Sequence, residues 1–241
     1  LREGRGDPDA RLILDALIPL ADGLLDDDGK VGLFLRVAGL AQIHEHGNEG
    51  CLTVGGHQGD DLILDGLDAA ADFVIASRLN PNDWNVFYHL GLSYFLLRDY
   101  AKAAKAYARC YELTDADPEL IAVTDWYYMT LKRLGNDEEA AKILARITDH
   151  MNPGENTAYY ARLLMYKGLK KPEELLSADP EEVTALELIT MGFGIANYFL
   201  QNGQPDKAYD LMERVVKAGD ENDCYFAFAY LASKVDLAHK G

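Results

Sequence analysis

The chain is poor in cysteine, in proline and in positive charge, and each shortage removes a class of protein. Three cysteines stand at Cys51, Cys110 and Cys224 among 241 residues. An odd number so widely spaced cannot all pair internally, so no disulfide framework supports the fold. Eight prolines and 21 glycines are too few and too scattered for a collagenous or low-complexity chain. No apolar run approaches the roughly 18 residues of a membrane span. Lys and Arg number 23 against 40 Asp and Glu, a formal charge of −17, which repels nucleic-acid backbones and anionic lipid surfaces. A basic partner fits that charge better. The acidity leans to the N-terminal side, where residues 1–83 carry 16 acidic and 6 basic side chains. The chain opens at Leu1, not at a methionine, so the compartment stays open, either cytoplasmic or exported with a leader removed.

What the chain has instead is apolar content, 49% of residues, enough to close a sizeable core, and it has a repeat. In residues 84–118, Phe87, Leu90, Gly91 and Tyr94 recur at helical spacing, and Ala103, Tyr107 and Cys110 do so again after the interruption Arg98-Asp99-Tyr100. The unit reads as two antiparallel helices joined by a tight turn. Ala69 lies 34 residues before Ala103, and Ala140 and Ala208 lie 68 apart. Residues 156–176 supply a degraded copy between them, in which Tyr166-Lys167-Gly168 ends one helix and Pro172 opens a short second one. Small residues at Gly91, Ala103, Ala140, Ala196 and Ala208 let helices approach, and Tyr94, Tyr107, Leu144 and Met212 fill the space beside them.

Leu90-Gly91 with Tyr94, then Ala103 with Tyr107 and a later proline, resembles the tetratricopeptide repeat, whose period is about 34 residues. The resemblance covers residues 62–219 and implies an all-α fold, an α-solenoid of antiparallel helical hairpins closed by a C-terminal capping helix over 220–241. Residues 1–61 read as N-terminal helices packed on the solenoid, with a glycine-rich insertion over 47–61.

Chemistry has few addresses in this sequence. His44, His46, Cys51 and His57 are all metal-capable, yet on a helix His44 and His46 point about 200° apart, and no paired metal-ligand motif is present. A polar loop is the simpler reading of the insertion, and a metal site the alternative. Asp26-Asp27-Asp28-Gly29 lacks ligands at calcium-loop spacing, and Gly55-Gly56 with Gly59 lacks the lysine of a phosphate loop. No nucleophile elbow or catalytic residue is identifiable, and no cofactor is implied. Cys110 falls at a small buried position of the repeat. If first helices line the concave side, as the resemblance implies, the binding groove is formed by Trp84, Tyr88, His89, Asp125, Trp126, Met129, Phe193 and Asn197.

The expected function is therefore a non-catalytic scaffold taking a protein or peptide segment, basic by the charge argument. The alternatives are a metal-dependent enzyme or small-molecule binder at the 44–61 insertion, and a structural protein that self-associates through uncovered hairpin faces.

Overall fold

The computed structural model describes residues 59–176, 183–225 and 227–240. The expected helices and insertion of residues 1–58, with His44, His46, Cys51 and His57, lie outside them. Nine α-helices and no strand are found among the described residues: α1 Gly59–Leu79, α2 Trp84–Leu96, α3 Tyr100–Glu112, α4 Asp117–Arg133, α5 Asp137–Ala145, α6 Thr157–Tyr166, α7 Ala185–Gln201, α8 Pro205–Glu221 and α9 Phe228–Ala238. The fold is all-α, built of antiparallel hairpins α2/α3, α4/α5 and α7/α8. In the third repeat α6 is followed by a short 3₁₀ turn, Pro172–Glu174, where the other hairpins have a full second helix.

Local chemistry sets these boundaries. Asp83 caps α2 by accepting from the amides of Asn85 and Val86, Asp99 caps α3 through Lys102, and Asn136 caps α5 through Glu139. Each carboxylate or carboxamide satisfies an amide that the first helical turn leaves without a partner. Pro118 and Pro205 sit in the first turns of α4 and α8, where a missing N–H costs nothing. Two residues past the end of each inner helix the chain turns through the left-handed region, at Gly135, Gly168 and Gly203 with φ of 69°, 74° and 68°. Arg98 occupies the same place in the α2/α3 turn with φ 57°, a conformation that a side chain adopts only at a cost.

Packing follows the size alternation read from the sequence. Ala103, Ala196 and Ala208 are fully buried beside Tyr107 and Met212, and a Cβ on Gly91 would overlap the Tyr107 ring. Cys110 and Cys224 are buried. Burial, foremost, pushes the Cys110 thiol well above its ordinary value, which keeps it an inert core thiol. Helix α4 packs on both α5 and α6, and α6 on α7, so contact between inner helices carries the stack through the truncated repeat. The terminal helix α9 covers α8 and α7 as a cap, and it also reaches α2 near the other end of the described chain.

Replacing Gly91 with alanine forces the Tyr107 ring aside, and overpacking of this kind costs about 1–3 kcal/mol. Chemical unfolding of the Gly91→Ala variant checks this, with Ala103→Gly, which only empties space, as the comparison.

Candidate functional site

Inner helices present a face every three or four residues, and here those faces meet one another. Phe95 of α2, Trp126 of α4 and Phe193 of α7 form one cluster. Ring centroids lie 5.2 Å apart for Phe95 and Trp126, 5.7 Å for Trp126 and Phe193, and 6.3 Å for Phe95 and Phe193. Asp125, Trp126, Met129, Phe193 and Asn197, expected to line an open groove, are all buried, none more than 1% exposed. Their face is occupied by neighbouring helices, so these five belong to the core.

Below the rings lies a dry ion pair. Arg162 Nη2 stands 2.7 Å from the Asp125 carboxylate, both side chains fully buried. Arg162 also donates to the Thr190 carbonyl at 3.0 Å and to Met129 Sδ at 3.3 Å, and its guanidinium lies 5.3 Å from the Tyr159 ring centroid. Gly194 leaves the room this guanidinium needs, since a Cβ there would collide with it. Burial pushes the Asp125 carboxyl up to about 7, against the pull of Arg162.

Three of the expected residues keep part of their surface: Trp84, Tyr88 and His89, all half-buried. Trp84 and Tyr88 stack with centroids 4.7 Å apart, and Trp84 Nε1 has no hydrogen-bond partner. Desolvation, ahead of the neighbouring Tyr159 and Tyr107 phenols, raises Tyr88 well above the ordinary tyrosine value, so it is a neutral hydrogen-bonding group. His89 Nδ1 is 2.8 Å from the Asn85 carbonyl and must donate to it, leaving Nε2 as an acceptor. Burial lowers its pKa from 6.5, so the ring is neutral at pH 7. Phe228 of α9 closes this cluster, 6.4 Å from His89.

At the other end of α9, Asp236 is 5% exposed and accepts from Arg98 Nη1 at 3.2 Å, from Arg133 Nη1 at 2.9 Å and from Arg133 Nη2 at 2.6 Å. Arg133 Nη2 also donates to Asn197 Oδ1 at 2.7 Å. Neither arginine nor Asp236 stood out in the sequence. Arg133 reads as an ordinary cation in the last turn of a helix, and nothing local announces a partner 103 residues away. The positive φ of Arg98 is the signal that would have found it, and it is a structural one. Between the starts of α6 and α7 lies a cleft of about 550 Å³ whose charged lining residues are Glu155 and Glu187.

The family model of the tetratricopeptide repeat matches residues 85–113, the span of α2 and α3. This hairpin is similar to a tetratricopeptide repeat, and the flanking hairpins continue the helical-hairpin stack. No curated protein matches the chain. Among the described residues no helix is long and apolar enough to cross a membrane, and no group of three or more His, Cys, Asp or Glu could hold a metal ion.

Removing one member of a buried pair strands the other charge, so Asp125→Ala is expected to cost about 3–5 kcal/mol by chemical unfolding. A carboxyl raised in the folded state stabilises fully below its unfolded value near 4, and that contribution is lost as pH rises through about 7. The unfolding free energy of the native chain should therefore fall relative to that of Asp125→Asn between those pH values.

Proposed function

We propose that this chain is a non-catalytic protein-interaction module that binds a segment of another protein on the accessible part of its concave side. The observation that carries this reading is the half-buried aromatic cluster of Trp84, Tyr88 and His89 with Phe228. Each of the first three joins a flat apolar face to a polar edge, the combination that dominates binding energy in protein interfaces. Repeats of this type are typically scaffolds, and the match over residues 85–113 covers the helix that supplies these three residues.

Electrostatics narrow the partner to a segment of basic character. The net charge of −17 draws such a segment in from solution. The cleft beside α6, with Glu155 and Glu187 at its lining, offers carboxylates to its cations. Asp125, Trp126, Met129, Phe193 and Asn197 act in this reading as the floor that fixes the cluster in place.

The test uses the intact chain as bait against its own proteome, beside a Tyr88→Ala/His89→Ala double variant. A partner retained by the native chain should be lost or weakened about tenfold or more, equivalent to about 1.4 kcal/mol, while the far-ultraviolet circular dichroism of the variant stays native. Equal capture by both proteins removes the aromatic cluster from the binding surface. Loss of helicity in the variant would make these residues part of the core.

A further inference from the structure

We propose that α9 is an intramolecular occupant of the concave side, and that the surface beneath it, centred on Arg98 and Arg133, receives a partner helix that carries a carboxylate where α9 carries Asp236.

Three observations converge on this. The first is the strained turn. At the position where the three other inner helices are followed by glycine, Arg98 holds φ 57°, and its guanidinium is on Asp236. Glycine would serve that turn at lower cost, so what the arginine contributes is its contact with a carboxylate. The second is the make-up of α9. It has 11 residues and starts at Ala227 without a side-chain cap, too short and too poorly capped to persist alone. It follows a short connection in which Asp223 has φ 53° and is the last of the described helices, so it is held by its contacts and can open without breaking another element.

The third observation is charge. When α9 leaves, Arg98 and Arg133 lose their carboxylate, and Arg133 is left with the neutral Asn197 oxygen as its hydrogen-bond acceptor. A fork of two half-buried arginines accepts a replacement only if it brings a carboxylate. The occupant shows what else fits: Ala229, Ala232 and Ser233 are the small buried residues that let the helix lie close. Helix α9 carries one lysine and one aspartate, and Lys240 just beyond it makes the 226–240 segment mildly basic in a strongly acidic chain. A partner helix of the same character meets both the overall field and the local fork.

The partner in trans rests on the reading of the chain as an interaction module, whereas the opening of α9 does not, and the two are measured separately. Hydrogen exchange on the intact chain should show the amides of α9 exchanging about tenfold or more faster than those of α7, the signature of opening below the global unfolding free energy. Arg98→Gly, which supplies the residue the other turns use, should speed exchange in α9 alone. A fluorescent peptide of residues 226–240 should bind the Asp236→Asn chain, where both arginines remain, about tenfold more tightly than the native chain, and the same peptide with Asp236→Ala should bind that chain several-fold more weakly than the unaltered one. Exchange of α9 in step with α7 in native and Arg98→Gly proteins would overturn the proposal by making α9 a permanent part of the core. Faster exchange without peptide binding would overturn the docking surface. Should Asp236→Asn fail to fold, native and Arg98→Gly exchange decides the opening, and the several-fold difference between the unaltered and Asp236→Ala peptides on the native chain decides the docking. Neither result depends on whether Tyr88 and His89 capture a partner.

Discussion

Phe95, Trp126 and Phe193 bring three helices from three hairpins to one point, and the arrangement of the concave side depends on that convergence. An open solenoid spaces its inner helices so that each contacts only its neighbours. Here α2 touches α7 through these rings and α9 through Arg98, and the space a guest would fill is already packed. The truncated third repeat is consistent with this. Among the described residues a three-residue 3₁₀ turn at Pro172–Glu174 follows α6, and contact runs from α4 through α6 to α7.

The buried Asp125–Arg162 pair belongs to the same economy of space. Two charges taken out of water recover their desolvation cost only with close geometry and further hydrogen bonds. Arg162 obtains these from Thr190 and Met129, while Gly194 keeps a side chain out of its way. The pair is a positioning device. It ties α4 to α6 and fixes the floor under Tyr88 and Tyr159, so that the aromatic cluster above it presents a defined surface.

Much of the architecture is legible in the sequence because tetratricopeptide geometry is written in short-range rules. Gly91 against Tyr107, Ala208 beside Met212, and the turns at Asp99 and Asn136 all follow from size alternation and capping within one hairpin. The candidate site is harder to read for a physical reason. Helical spacing assigns Trp126, Phe193 and Asn197 to the inner face, and that assignment holds. What covers an inner face depends on how far the stack bends, and the bend accumulates over a hundred residues. The same spacing therefore leaves Trp84, Tyr88 and His89 partly open and seals the other five. Arg98, Arg133 and Asp236 escape notice because their meaning lies in a meeting between the two ends of the described chain.

That meeting changes the way the chain can come apart. A linear array of repeats behaves like a row of coupled units, fraying from either end and nucleating anywhere along its length. A bond across 138 residues, as between Arg98 and Asp236, makes α9 a neighbour of the α2/α3 repeat, so that release of α9 is felt in that repeat as well. Assembly of the described helices acquires an entropically expensive closure typical of folds rich in non-local contacts.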